Sequence, residues 1–214
     1  MANLRAGMVG IGSMGKNHVR NLRAIDGVDL VAIADASGKD PFGVAGDLPI
    51  LPDVDAVIEK AMAITDAPVV IGPTMPNLTA AHASANEAMA AMAAVDGWPN
   101  APRPVHSVEL LPERALNGDP SATTALIDTL VRPLAKGGPT LATTLETYLD
   151  TGGSVEACAR ELFIHPNTVR YRLKKIAELT GRDPTHSRDG YVLRIAATVG
   201  RLTHFRNESS SRAT

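Results

Sequence analysis

The sequence predicts a mixed fold, in which an α/β fragment at the N-terminus is followed by a mostly α-helical region. Residues 6–34 contain an apolar segment, a helix-like segment and a second apolar segment within the span of one βαβ unit. From residue 139 onwards, apolar positions recur every three or four residues, which is the period of an amphipathic helix. Aromatic residues make up only 3% of the chain, so aliphatic side chains must fill most of the core.

The composition is typical of a soluble globular protein of one or two domains. The chain has 214 residues and a formal net charge of −2. Its single cysteine, Cys158, excludes an internal disulfide framework and a cysteine-cluster zinc site, and we expect it to be a core residue rather than a thiol sensor. The first apolar run is too short to span a membrane and has no cleavage signal. We therefore expect a cytoplasmic protein without a membrane segment.

The first half of the chain predicts alternating strands and helices. Asn77 is the expected N-cap of an alanine- and methionine-rich helix, and a connector rich in proline and glycine follows that helix. The predicted elements are strands at 6–11, 29–34 and within 67–73, and helices at 16–25, 53–63 and 77–95.

The second half predicts helices alone. Gly118 and Pro120 separate two helices in the middle of the chain, and Ser154 is placed to cap a later one. The expected helices are 108–117, 120–136, 140–150, 154–163, 168–179 and 188–204, and the polar tail 205–214 is expected to be disordered.

The segment "HPNTVRYRLKK", residues 165–175, gives the most specific functional signal. Residues 160–182 contain six basic and two acidic side chains in a chain that is slightly acidic overall. Val169, Leu173 and Ile176 fall at helical spacing, so they predict a buried stripe. Two short helices joined by a tight turn, the second carrying this cluster, describe a helix-turn-helix. A merely solvated charged face is the alternative, but the turn, the caps and the stripe together favour DNA binding.

The predicted contacts divide into two groups. Residues near the start of the second helix reach base edges in the major groove, where Arg, Lys and Asn have suitable donors; these are Asn167, Thr168, Arg170, Tyr171 and Lys174. Basic residues at the margins are better placed for phosphates; these are Arg160, His165, Arg172 and Lys175, although His165 could equally close the turn before Pro166.

The stretch "YLDTGGSVEACARELFIHPNTVRYRLKKIAELTG" resembles the C-terminal helix-turn-helix of the PucR/CdaR family of bacterial transcriptional regulators. The preceding "VVIGPTMPNLTAAHASANEAM" is similar to the end of that family's GGDEF-like module, so the resemblance covers residues 66–203. It implies a protein that binds double-stranded promoter DNA as a homo-oligomer. The family's sensory region and most of its GGDEF-like module have no counterpart in this sequence.

The segment "GMVGIGSMG", residues 7–15, points to a different ligand. It matches the pattern G-x-G-x-x-G between a predicted strand and a predicted helix, with Asp35 at the end of the next strand. The glycines allow a tight turn against a pyrophosphate, and Asp35 could bind a ribose 2′-hydroxyl. This Rossmann-like βαβ fragment predicts an NAD(P) site at Gly10, Gly12, Ser13, Met14, Gly15 and Asp35, although the glycines could serve the turn alone.

Residues 1–58 resemble the N-terminus of Gfo/Idh/MocA oxidoreductases, notably in "GMVGIGSMGKNHVRNLRAIDGVDLVAIADA" and "VAGDLPILPDVDAVI". That family has a complete Rossmann domain, a substrate domain and a Glu-Lys-Pro motif with the catalytic lysine. This chain offers only "EKA" at Glu59, Lys60 and Ala61. One βαβ unit supplies about half of a dinucleotide crevice. We therefore expect no catalytic residues, no required cofactor and, at most, residual NAD(P) binding.

The two resemblances meet between residues 58 and 66. The sequence thus predicts a Rossmann-like fragment at 1–58, the end of a GGDEF-like module with a helical linker at 66–137, a helix-turn-helix domain at 138–204 and the tail. An NAD-sensing repressor, a degraded gene fusion and an assembly artefact would each give this order. The expected function is that of a DNA-binding regulator and not an enzyme, with a truncated NAD(P)-dependent oxidoreductase as the alternative.

Overall fold

The computed structural model of the chain describes residues 4–13, 15–64, 66–74 and 81–212. It is mostly helical, with a few short parallel strands, and it divides into two compact units. Unit 1 comprises Met1–Gly72 and Asn100–His106, and unit 2 comprises Pro73–Pro99 and Ser107–Thr214. The segment 66–137, expected to be one region, contributes to both units.

Unit 1 contains the predicted strand–helix–strand segment. β1 (Leu4–Val9), α1 (Gly15–Ala24) and β2 (Val28–Ala34) are followed by β3 (Ile50–Leu51) and α2 (Val54–Ile64). The first three strands form a parallel sheet in the order β1-β2-β3, and a second parallel pair joins β4 (Val70–Ile71) to β5 (Val105–His106). Parallel neighbours require a crossover connection, which α1 supplies between β1 and β2. The relation of this unit to the Rossmann fold stays a prediction.

Apolar side chains cover the sheet of unit 1 in two clusters. Ile33 of β2 packs with Val19 of α1, whereas its neighbours Ala32 and Ala34 pack with Val57 of α2. Successive side chains of a strand point to opposite faces, so β2 supplies both clusters. Burial of both faces is typical of parallel sheets and explains the continuous apolar run at 30–34.

Unit 2 is a helical assembly. Its helices, in chain order, are α3 (Ala81–Ala94), α4 (Leu111–Leu116), α5 (Pro120–Leu126), α6 (Arg132–Lys136), α7 (Pro139–Asp150), α8 (Val155–Glu161), α9 (Pro166–Thr180) and α10 (Ser187–Arg212). Short 3₁₀ turns lie at Val95–Gly97 and Ser107–Leu110.

Local sequence explains several of the helix ends. Ser154 Oγ accepts a hydrogen bond from the backbone N–H of Ala157, so the predicted N-cap of α8 is confirmed. Gly181 ends α9 in a left-handed conformation with φ of 68°. A π-helical segment at Ile127–Val131, which the sequence analysis did not predict, comes directly before α6. We attribute it to Pro133, whose ring would clash with the carbonyl four residues earlier in a regular helix.

One predicted helix boundary differs from the structure, and one lies outside the described residues. The last helix was expected to end at 204, but α10 runs to Arg212, into the tail expected to be disordered. No glycine or proline interrupts the chain after Gly200, so nothing in the local sequence stops the helix. The predicted N-cap Asn77 lies outside the described residues.

A buried arginine organises the N-terminal part of unit 2. The Arg114 side chain is 1% exposed and forms ion pairs with Glu87 of α3 at 3.1 Å and with Asp119, the N-cap of α5, at 2.8 Å. It also donates to the carbonyl oxygen of Ser107 at 3.3 Å. Because buried charges must be paired, this single guanidinium fixes α3 and α4 and the start of α5 together.

Further arginines attach this region to the C-terminal helices. Arg182, just after α9, binds both carboxylate oxygens of Glu109 at 3.0 and 3.1 Å. Arg188 of α10 donates to Glu113 at 2.8 Å, and its guanidinium lies 3.6 Å from the ring centroid of Trp98. Within the part of the chain that the structure describes, no helix has the length and apolarity needed to cross a membrane.

Candidate nucleic-acid interface

The apolar stripe of α9 faces inward, as predicted. Val169, Leu173 and Ile176 are 0%, 3% and 0% exposed. They belong to one core cluster with Leu141, Leu145 and Tyr148 of α7, Cys158 and Ala159 of α8, and Leu193 of α10. Helices α7, α8 and α10 thus pack against one side of α9, so only its opposite side can contact a ligand.

The opposite side of α9 is solvent-accessible. We call it the recognition face and define it by Asn167, Arg170, Tyr171 and Lys174, which are all exposed. Tyr171 is 70% exposed although it is an aromatic residue. Thr168, also predicted to reach bases, is half-buried at the margin of this face. The structure therefore brings the predicted base-reading residues together within the first nine residues of α9.

Arg170 is already oriented by two neighbours. Its guanidinium donates to Oδ1 of Asn167 at 3.0 Å and to Oε1 of Glu156 on α8 at 2.9 Å. Glu156 was not recognised in the sequence, because its pairing depends on how α8 crosses α9. Reading of adenine by Asn167 requires its Oδ1 to accept from the base, and a carbonyl oxygen has a second lone pair for this while it holds Arg170.

His165 is the N-cap of α9. Its Nδ1 accepts a hydrogen bond from the backbone N–H of Asn167 at 3.1 Å, while the side chain stays exposed. Because Nδ1 accepts this bond, Nε2 is the ring nitrogen that can donate to a ligand. The expected turn-closing role of His165 is thus present, and its phosphate contact stays a prediction.

The remaining basic residues of this region differ in their surroundings. Arg160 and Lys174 are exposed, and among the described carboxylates none lies within ion-pair distance of either. Lys175 is exposed and pairs with Glu178, one turn further along α9, at 3.1 Å. Exposed pairs of this kind are weak, so Lys175 remains available to a phosphate at little cost.

Arg172 is placed differently from the other basic residues. It is half-buried, and its guanidinium donates to Oγ1 of Thr144, a fully buried residue of α7, at 3.1 Å. This position lies beside the buried stripe, three residues after Val169, which explains why the side chain turns toward α7. Arg172 therefore links two helices of the core instead of standing on the recognition face.

Cys158 lies in the core, as expected. It is fully buried, and burial raises the pKa of its thiol above the usual range, with a further contribution from the nearby Glu161 carboxylate. A thiol that is buried and protonated is unreactive. Among the described residues, no group of three or more His, Cys, Asp or Glu side chains could hold a metal ion.

The predicted dinucleotide residues lie together at the end of β1. Gly10 has φ of 81°, and a Cβ on Gly15 would lie 2.0 Å from the Gly10 carbonyl oxygen, so both positions require glycine. Asp35 accepts from the backbone N–H of Ile11 at 2.9 Å. This hydrogen bond and those from Ser37 lower the pKa of the Asp35 carboxyl. Gly12 and Ser13 are exposed in the same turn, and Met14 lies outside the described residues.

Known proteins resemble part of the chain. An uncharacterized protein of Mycobacterium tuberculosis is 67% identical over 142 residues, which are 66% of this chain and 34% of that protein. The purine catabolism regulatory protein of Bacillus subtilis is 39% identical over 59 residues, which are 28% of this chain and 11% of that protein. The chain thus spans about a third of the length of the mycobacterial relative.

A solved structure agrees with these relatives. The crystal structure of a regulator of polyketide synthase expression from Bifidobacterium adolescentis matches with a TM-score of 0.52 and 44% identity, over 55% of this chain and 49% of that one. None of the comparisons supports the resemblance of residues 1–58 to Gfo/Idh/MocA oxidoreductases. Residues 141–199, which include α8, α9 and the whole recognition face, match the PucR C-terminal helix-turn-helix domain. This part of the chain is therefore a PucR-type helix-turn-helix domain.

Proposed function

We propose that the chain is a DNA-binding transcriptional regulator of the PucR/CdaR type that places α9 in the major groove. One observation carries the proposal: α9 buries Val169, Leu173 and Ile176 and exposes Arg170 and Lys174 on its opposite side. An α-helix held in this way fits the major groove of B-form DNA. The two relatives described as regulators, of purine catabolism and of polyketide synthase expression, support the same class of function.

The residues take separate roles in this proposal. Base edges are read by Asn167, Thr168, Arg170, Tyr171 and Lys174, and phosphates are bound by Arg160, His165 and Lys175. Arg172 acts from inside the domain, because its hydrogen bond to Thr144 keeps α9 fixed against α7. Rigid support of this kind matters, since base reading requires donors at fixed positions.

The proposed partner is double-stranded promoter DNA in the cytoplasm. Helix-turn-helix proteins usually bind two half-sites about one helical turn apart, so we propose a homo-oligomer as the binding species. Its operator can be obtained by selection from random duplexes with the purified chain. The number of half-sites in the selected sequences then gives the symmetry of the complex.

A matched pair of substitutions tests the function. In fluorescence anisotropy on the selected operator, Arg170→Ala should weaken binding by ~1–3 kcal/mol, with a smaller loss on random DNA. Arg194→Ala is the control, because Arg194 is also exposed and paired, with Asp150, but lies on α10. Equal losses for the two variants, or binding that does not weaken with rising salt, would overturn the proposal.

Dinucleotide binding by unit 1 is a second candidate function. It is favoured by the convergence of Gly10, Gly15 and Asp35 at one turn. A Cβ on Gly12 would meet no protein atom within 4 Å, so Gly12→Ala should fold normally and obstruct only an approaching pyrophosphate. Titration calorimetry with NADH should show heat for the native chain and less for this variant. The candidate fails if the native chain takes up no NADH or if the variant binds it equally.

A further inference from the structure

The turn between α8 and α9 presents an unusual side chain to solvent. Phe163 is 95% exposed, which is the highest value among the exposed large hydrophobic residues of the described chain. Its backbone has φ of 54°, in the left-handed region that bulky side chains avoid. Both properties are unfavourable in a protein that needs only to fold.

The backbone conformation at position 163 favours glycine. The Phe163 N–H donates to the Arg160 carbonyl oxygen at 3.2 Å, and the Ile164 N–H donates to that of Ala159 at 3.0 Å. These two bonds form a Schellman motif, whose left-handed position is usually occupied by glycine. Phe163 occupies that position and buries almost none of its ring. Neither backbone conformation nor packing therefore accounts for a phenylalanine here.

The position of Phe163 relates it to the recognition face. Phe163, Glu156, Arg160 and His165 line one shallow groove beside the start of α9. Glu156 also binds Arg170 of the recognition face, so the groove borders that face directly. Phe163 thus shares this groove with Arg160 and His165, the two residues proposed to bind phosphates on this side.

We propose that Phe163 makes an apolar contact with a thymine C5-methyl group at the edge of the operator half-site. This inference rests on the proposed function, because it requires α9 to lie in the major groove. The thymine methyl is the apolar group that base edges present there, and phenylalanine is among the side chains that contact it. Arg160 complements the charge of the DNA strand, and His165 can donate to a phosphate through Nε2, so these two neighbours bring the ring to the strand.

The test uses operators selected from random duplexes, in which single thymines are replaced by deoxyuridine, which lacks the methyl group. For the native chain, one such replacement per half-site should weaken binding about fourfold, the value expected for ~0.8 kcal/mol from one buried methyl. Phe163→Asn removes the ring and tolerates the left-handed backbone. This variant should bind thymine and deoxyuridine operators equally well. It should also keep or raise the thermal midpoint, since the ring has little packing to lose.

Leu116→Asn is the control, because Leu116 is 67% exposed at the end of α4 and should affect neither readout. An unchanged response of Phe163→Asn to deoxyuridine overturns the inference, and so does a drop in its thermal midpoint. Either result leaves the proposed function intact if the native chain still binds its operator. Failure of the native chain to bind any duplex overturns the proposed function itself.

Discussion

Removal of a buried side chain from α9 tests the orientation of the helix. Ile176 is fully buried in the cluster shared by α7, α8, α9 and α10. Ile176→Ala deletes three carbon atoms, worth ~0.8 kcal/mol each in transfer free energy, or about 2.4 kcal/mol together. The cavity left in a closely packed core adds to this loss, so we expect the free energy of unfolding to fall by ~3–4 kcal/mol.

Urea denaturation followed by circular dichroism at 222 nm measures this change. The matched control is Tyr171→Ala, five positions earlier on the same helix, because Tyr171 is 70% exposed. Exposed substitutions usually change stability by less than ~0.5 kcal/mol, so Tyr171→Ala should be nearly neutral. The reasoning is refuted if Tyr171→Ala costs as much as Ile176→Ala, since α9 would then be rotated about its axis.

Three further predictions concern the interior of unit 2. Arg114→Ala should lower the free energy of unfolding by about 3 kcal/mol. This value is near the lower end of the cost of breaking a buried ion pair, because Glu87 is partly exposed. An unchanged midpoint of urea denaturation would contradict this prediction. Burial alone would raise the pKa of the Asp119 carboxyl, but hydrogen bonds from Ser121 and Arg114 hold that pKa below its usual range. The contribution of the Asp119 carboxylate to the free energy of unfolding is therefore fully present above the ordinary carboxyl pKa of ~3.9, and it is lost as the pH falls through the lower folded value. Acidification should consequently lower the free energy of unfolding more in the native chain than in Asp119→Asn. Cys158 should react with a thiol reagent only after unfolding, as followed by absorbance; rapid labelling of the native chain would place it outside the core.

The parts of the fold that depend on local sequence could be predicted. The spacing of Val169, Leu173 and Ile176 determines which side of α9 is buried, whichever helix covers it. Ser154 caps α8 and Gly181 ends α9 through bonds within a few residues. These features need no knowledge of the tertiary structure, and the structure confirms them.

Features that depend on distant partners could not be predicted. Arg172 lies at the margin of the buried stripe. Its side chain turns inward because it donates a hydrogen bond to Thr144, 28 residues away in the sequence. Arg114 is buried because Glu87, 27 residues earlier, meets it across two helices. The sequence carries no periodic signal for pairs of this kind. The ion pair of Glu156 with Arg170 could not be predicted for the same reason.

The stability of the recognition face has a physical source in the rest of unit 2. The ion pair of Arg182 with Glu109 attaches the chain just after α9 to the 3₁₀ turn at Ser107–Leu110. Core packing holds the middle of α9, and the His165 cap fixes its beginning. The helix is thus constrained at both ends and along its length. A helix fixed in this way holds its hydrogen-bond donors at constant positions, as recognition of a ligand requires.

The central claim is that α9 occupies the major groove, and dimethyl sulfate footprinting tests it most directly. The reagent methylates guanine at N7 in the major groove and adenine at N3 in the minor groove. On the selected operator, the native chain should protect guanine N7 within each half-site, and Arg170→Ala should lose protection at one guanine. Protection of adenine N3 with guanine N7 left reactive would contradict the account.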